Sequence, residues 1–289
     1  MVKPRCICRW AVWSSSSSPS PVRAVMGLSL IHICTLLDPD GQITAGSKDA
    51  ISQARAAGVR VVLNTGRAFP EAAFFAREAG CDGLISALGG AVLGDWTTGQ
   101  VLRRWDIPSP TDRRVLELSL EREIELMIFA GGQIVLDPFS KQSLLGTYHY
   151  PVFHDNAVVT DDPIGYLARQ GLPLTKVHGD GKPGCYPLAE LAALDGVQLT
   201  ASNDHDFELV AAGVDKGRTL ALLAMMYGIS LAQCAAVGDS DNDLPALLAS
   251  GTPIAMGNAS HKLKAAAKYI AASNGADGVA DAILYCLSL

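Results

Sequence analysis

The 289 residues contain no run of eighteen or more apolar residues, so the sequence offers no helix of membrane-spanning length. Aromatic residues are scarce at 6%, and charged residues reach only 18% against 49% apolar, the balance of an ordinary globular chain. Basic residues are outnumbered, 23 to 29, and the net charge of −6 argues against a general nucleic-acid or anionic-membrane binder. A paired C-x-x-C arrangement is also missing. The seven cysteines (Cys6, Cys8, Cys34, Cys81, Cys185, Cys234 and Cys286) are scattered and odd in number, which argues against a zinc framework or disulfide scaffold. Such usage fits a reducing, cytoplasmic setting, with Cys34 and Cys234 expected as isolated buried thiols in apolar runs. No internal repeat stands out.

A chain of this length can bury a sizeable core, in one large or two modest domains. Residues 1–26 differ from the rest: Trp10, Trp13, the run Ser14 to Ser18, Pro19 and Pro21 accompany Lys3, Arg5, Arg9 and Arg23, with no acid. So short a serine-proline segment cannot offset its ordering entropy by burial, and it is expected to be disordered or a foreign extension, with Met26 as an internal start. From Leu28 the pattern turns regular. A buried strand over Leu28 to Leu37, a helix over Lys48 to Ala57 and a strand over Val59 to Leu63 make one strand–helix–strand crossover unit. A helix over Glu71 to Ala79 and a strand over Gly83 to Ala87 follow.

The middle third has another texture. Short strand candidates, among them Val101-Leu102, Glu125 to Phe129, Leu174 to Val177 and Phe207 to Val210, alternate with turns and with helices at Thr111 to Arg122 and Tyr186 to Ala193. That mixture predicts an α+β unit over residues 93–210, inserted into an α/β unit formed by 27–92 and 211–289.

What the chain does have is a carboxylate-rich loop, Gly238-Asp239-Ser240-Asp241-Asn242-Asp243, between the apolar run Ala235 to Val237 and a helical stretch from Leu244. In open α/β sheets that edge is where ligands bind. Clustered carboxylates repel one another unless a cation sits among them, and hard oxygen donors suit magnesium. A calcium loop of the EF-hand type fails, because Leu244 stands where a glycine is needed and Ser250 where a glutamate is.

Three further pieces stand at strand ends or helix starts: Asn64-Thr65-Gly66-Arg67, Val214-Asp215-Lys216-Gly217 and Ala255-Met256-Gly257-Asn258-Ala259. Together with the loop, and with the run Asn274 to Ala280, they resemble the haloacid dehalogenase-like phosphatases, specifically the Cof-type (subclass IIB) group with a large inserted cap. The resemblance covers residues 28–289. It implies a doubly wound, mainly parallel Rossmann-like core and Mg2+-dependent hydrolysis of a small phosphomonoester, such as a sugar phosphate, by a monomer or weak homodimer. Thr65, with the backbone of Gly66, would cradle the phosphate, and Lys216 would offset its charge. Asn242 would reach the phosphate, Asp239 would hold the metal, and Asp243 would support the metal or orient Lys216. Arg67 is read as a nearby positive charge or a structural pair. A phosphomutase using the same aspartyl-phosphate chemistry is the nearest enzymatic rival.

The resemblance breaks at its first motif, D-x-D-G-T, whose first aspartate attacks phosphorus and whose second moves protons. Asp38-Pro39-Asp40-Gly41 looks similar, but Gln42 follows it, and the aspartates lie beyond the apolar strand. The better register starts from Thr35-Leu36-Leu37. It puts Ile31 at the nucleophile position, Ile33 at the acid/base position and Cys34 at the glycine. Neither isoleucine can attack phosphorus, transfer a proton or bind magnesium. A mis-joined coding start is the favoured explanation. The rival from another class is a non-catalytic binder of phosphorylated metabolites.

Overall fold

The computed structural model describes residues 27–31, 33–120, 124–148, 150–180, 187–200 and 206–289. The segment 1–26, and with it the expected extension, lies outside the described residues, as do the side chains of 27–34 and 147.

In chain order the first strands are β1 (Gly27–Ile31), β2 (Arg60–Asn64), β3 (Leu84–Ala87), β4 (Val92–Asp95) and β5 (Gln100–Arg104). Six more follow: β6 (Glu125–Ala130), β7 (Gln133–Leu136), β8 (Ala157–Val159), β9 (Leu174–Asp180), β10 (Val197–Thr200) and β11 (Asp206–Ala211). The last are β12 (Cys234–Gly238), β13 (Thr252–Ala255) and β14 (Tyr269–Ile270). Among the described residues they form two sheets, in the orders β14-β13-β12-β1-β2-β3-β4-β5 and β10-β11-β9-β6-β7-β8.

From β14 to β3 every pairing is parallel, with β1 held between β12 and β2. The strand order reverses at β1, so the crevice beyond its carboxyl end is the topological switch point. Helices on both faces require apolar strands rather than alternating ones. Residues 61–64 and 234–238 are accordingly buried throughout. Helix Ala45–Ala56 starts at Thr44, whose hydroxyl accepts from the Ser47 N–H at 3.1 Å. Helix Lys216–Tyr227 is capped by Asp215, which accepts from the Arg218 N–H at 2.7 Å, and it ends at Gly228 with φ 68°.

Two expected boundaries move. The predicted strand from Leu28 stops at Ile31, and Ile33–Leu36 is a single helical turn. A tight hairpin follows, closed by the Leu37–Ile43 bridge. Continuing as a strand would have carried Thr35 past the sheet edge, whereas the turn brings its hydroxyl back over it. The inserted unit was expected from residue 93, yet β4 and β5 pair antiparallel with β3 and extend the first sheet. Val101 and Leu102 are half-exposed residues of this edge hairpin rather than of the insertion.

The second sheet begins at β6. It is antiparallel apart from the β7–β8 pair. Period-two alternation divides its residues. Val177, Phe207 and Leu209 join the cluster shared with Val115 and Leu116 of helix Thr111–Leu120. Val210 points the other way, into the core of the first unit. Phe129, Ile134, Leu136, Leu144 and Phe153 pack into that same core beside Leu36, Leu37 and Phe75, so the two units share one apolar seam. The entering and returning segments run close together, with the Arg218 guanidinium 5.1 Å from the centre of the Trp105 ring.

Phe153 is the largest fully buried residue of the seam and meets the Tyr148 ring edge-on at 4.7 Å. Phe153→Ala should cost about 3–5 kcal/mol in urea unfolding. A loss below about 1 kcal/mol would show that the units do not depend on this contact.

Candidate functional site

The site is built on the loop after β12. A Cβ at Gly238 would stand 2.5 Å from the Asp243 Cβ, so only glycine lets the loop fold back this tightly. Asp243 then accepts the backbone N–H groups of Asp239 at 3.0 Å and Ser240 at 3.1 Å on Oδ2. Its Oδ1 pairs with the ammonium of Lys216. Lys216 also donates to Asn242 Oδ1 at 2.9 Å, and the three side chains are buried. Of the two expected roles of Asp243, the geometry matches orientation of Lys216, because both its oxygens are already engaged.

Asp239 stands at the rim. Its Oδ1 accepts the Thr35 hydroxyl at 2.7 Å, and Asn258 Nδ2 lies 3.5 Å from Oδ2. Burial first, and then the charge of Asp243, raise its pKa to about 6, against the opposing pull of Thr35 and Lys216.

The strand register puts the end of β1 at this edge, with Ile31 opposite Asn64. Asn64 donates Nδ2 to the Lys216 carbonyl at 2.8 Å and so ties the β2 edge to the lysine. Asn64 Oδ1 is buried without a hydrogen-bond partner among the described residues. Thr65 follows on the same edge, with its hydroxyl accepting from the Arg67 N–H at 3.3 Å. It lines a small crevice with Leu36, Leu37 and Arg67 and not the cavity at Lys216.

A cavity of about 300 Å3 is lined by Lys216, Asn242 and Asp241 from the first unit and by Thr200, Glu208 and Val210 from the second. Arg67 is drawn away from it. Its guanidinium bonds Glu71 at 3.0 Å and lies 3.9 Å from the Tyr150 ring centre, while the Tyr148 hydroxyl donates to Glu71 at 2.7 Å. Of the two readings of Arg67, the structural pair is the one seen. Burial raises the Glu71 pKa, with Arg67 acting against it.

Asp38 and Asp40 lie on the outer hairpin. Asp38 Oδ1 accepts the N–H groups of Asp40 at 3.0 Å and Gln42 at 2.8 Å, holding the turn. Four residues of the edge were given no role by the sequence: Thr35 and Asn64, which appear only within its motifs, and Lys176 and Glu208. Neither of the last two stands out by pattern, because β9 also holds His178 and Asp180 and β11 also holds Asp206.

The donors do not complete a magnesium site. Magnesium demands near-octahedral oxygen ligation. Asp239 offers one carboxylate, Asp243 is spent on Lys216 and two amides, and isoleucines at 31 and 33 carry no side-chain oxygen. Among the described residues no group of three or more His, Cys, Asp or Glu could hold a metal ion.

The raised pKa of Asp239 has a consequence for stability. A carboxyl group with a folded-state value near 6, above its unfolded 3.8, stabilises the fold while protonated and loses that contribution as pH rises through this window. In metal-free buffer at pH 8, Asp239→Asn should therefore be more stable than the parent by on the order of 1–3 kcal/mol. The gap should close toward pH 4, and thermal melts across that range would reveal it. A gap independent of pH would refute the assignment of burial and Asp243 as its cause.

The haloacid dehalogenase-like hydrolase family profile matches residues 34–283. Phosphatase YwpJ of Bacillus subtilis is 27% identical over 280 residues, spanning 88% of this chain and 96% of that protein. The 5-amino-6-(5-phospho-D-ribitylamino)uracil phosphatase YwtE of the same organism is 28% identical over 271 residues, spanning 85% and 92%. A solved haloacid dehalogenase-like hydrolase from B. subtilis superposes with a TM-score of 0.78 at 23% identity, over 89% of this chain and 99% of that one. With a doubly wound core, its loop of clustered carboxylates at the switch point and a profile match from 34 to 283, this chain belongs to the haloacid dehalogenase-like hydrolase family.

Proposed function

We propose that the edge formed by Lys216, Asn242 and Asp239 receives the phosphoryl group of a small phosphomonoester, and that the second unit is a cap over it. The reaction of the lineage is read as magnesium-dependent phosphate-ester hydrolysis, and this chain as a binder that has lost turnover. The observation that carries the reading is the convergence of Lys216 and Asn242 on a cavity of about 300 Å3 walled by the second unit.

The chemistry follows from the side chains. Lys216 brings a full positive charge to a water-poor site, where it would stabilise phosphoryl oxygens strongly. Asn242, whose Oδ1 accepts from Lys216, can donate only through Nδ2. The Thr65 hydroxyl and the Gly66 N–H would supply further donors from the loop between β2 and the next helix. The cap would keep water from the site and select the ester group. Names of relatives support a phosphatase origin, YwpJ and YwtE among them.

Turnover is another matter. The reaction needs a nucleophile at the end of β1, and Ile31 occupies that end. Retention of the phosphate-binding side chains without the nucleophile favours binding without hydrolysis. Loss of a catalytic nucleophile costs on the order of 10⁴-fold or more.

Two measurements test the reading. The unaltered chain should hydrolyse no small phosphomonoester above background in magnesium. Ile31→Asp with Ile33→Asp and Cys34→Gly should raise the rate by at least about 10³-fold. Adding Asp239→Asn to that triple variant should abolish the gain. Robust turnover by the unaltered chain, lost on Asp38→Asn, would overturn both the register and the claim of lost turnover. In the second measurement, inorganic phosphate titrated into the unaltered chain by calorimetry should bind, and Lys216→Met should weaken it by about 100-fold. No binding at all would defeat the phosphate-site reading.

A further inference from the structure

A buried ion pair in the second unit is not used by the reading above. Lys176 on β9 and Glu208 on β11 bond at 2.6 Å, with side-chain exposures of 2% and 6%. Burying two charges is costly, and a packed apolar pair in their place is often as stable or more so. The pair therefore has little to recommend it as a source of stability. Its position is what distinguishes it: the same ammonium crosses between units and donates to the carbonyl of Gly66 at 3.1 Å.

That carbonyl is singular in its loop. The carbonyls on either side of it are bonded within the first unit, Thr65 O by the Gly89 N–H at 2.9 Å and Arg67 O by the Leu88 N–H at 2.8 Å. The Gly66 carbonyl receives its side-chain bond from the second unit. Glu208 holds Lys176 there and is itself fixed by neighbours: His178, opposite Glu208 across β9 and β11, has Nδ1 at 3.6 Å from the same oxygen. Burial acts to raise the Glu208 pKa, but Lys176 and His178 outweigh it and hold the carboxyl well below the usual range. The anchor thus stays charged at neutral pH. The other Glu208 oxygen faces Gly89, 3.8 Å from where a Cβ there would stand. Gly89 is the residue whose N–H bonds Thr65.

We propose that Lys176 is a positioning residue: with Glu208 as its anchor, it couples docking of the second unit to the conformation of the Thr65–Gly66 loop. The inference rests on the reading of that loop as part of the phosphate site. Swinging the second unit away removes the donor from Gly66 and frees the loop. Docking it restores the bond and sets the loop for an anion. By linkage, an anion bound at the loop favours the docked arrangement to the same degree.

The test compares the full-length parent with Lys176→Met/Glu208→Gln and with Lys176→Arg. The double variant leaves no lone charge buried and so keeps the fold, while still removing the donor to Gly66. Inorganic phosphate is titrated by calorimetry, and amide hydrogen exchange is followed at Gly66, Arg67 and Ala68. The double variant should bind phosphate about tenfold more weakly and exchange these amides about tenfold faster. Lys176→Arg, which keeps a donor, should recover most of both. Parental affinity and parental exchange in the double variant would overturn the inference while leaving the phosphate site intact. Faster exchange with unchanged affinity would reduce the pair to a structural contact, and would also overturn it. If the parent binds no phosphate, the functional reading falls, and exchange alone decides whether the contact controls the loop.

Discussion

Everything at the carboxyl edge depends on one buried charge. The Lys216 ammonium sits where water cannot reach it, so its charge must be met by protein groups, and Asp243 and Asn242 meet it. To do so, Asp243 must come back under its own loop, which demands glycine at 238. The helix carrying Lys216 must also lie close to the next one, which demands glycine at 217, where a Cβ would be 2.5 Å from the Pro245 carbonyl. One ion pair thereby fixes the loop, the helix start and, through Asn64, the neighbouring strand end. A lysine held this way has little freedom left to lose when an anion arrives, which is the meaning of preorganisation here.

Most of this was legible in the sequence where local chemistry and global fold agree. The loop Gly238 to Asp243 lies at a strand end, as its apolar run and helical sequel imply, and the parallel core follows from uninterrupted apolar strands. Reading failed where position in the sheet, rather than composition, decides the structure. The hairpin of β4 and β5 carries a mixed pattern with exposed residues, and nothing local says which sheet it joins. The single helical turn Ile33–Leu36 is written in residues that favour strands, and the requirement to bring Thr35 over Asp239 overrides that preference. Helices Pro138–Thr147 and Pro163–Gln170 went unnoticed, although each opens with an aspartate cap followed by proline, a clear local start signal. Lys176 and Glu208 were hidden for a different reason: Lys176 lies 110 residues from Gly66 and 32 from Glu208, so no local pattern joins them.

The proposed loss of turnover would leave the fold intact, and the physics permits it. Isoleucine is a good strand residue, so placing it at the end of β1 leaves the parallel pairing with β2 and β12 in place. Side chains that repel each other, such as Asp239 and Asp243, are relieved rather than strained when further carboxylates are absent. A site of this kind can lose its reactive groups and keep its shape, because the shape was held by Lys216, glycines and the sheet.

The two polypeptide segments that join the units run side by side, near Trp105 and Arg218. A rigid body tethered to another by two adjacent threads behaves like a door on its hinges: opening would turn about the line through them, and the buried seam of Phe129, Leu136 and Phe153 opposes it. The edge opposite that line travels farthest. Tyr148 and Tyr150, set against Arg67, clasp the first unit from the second and hold the two together.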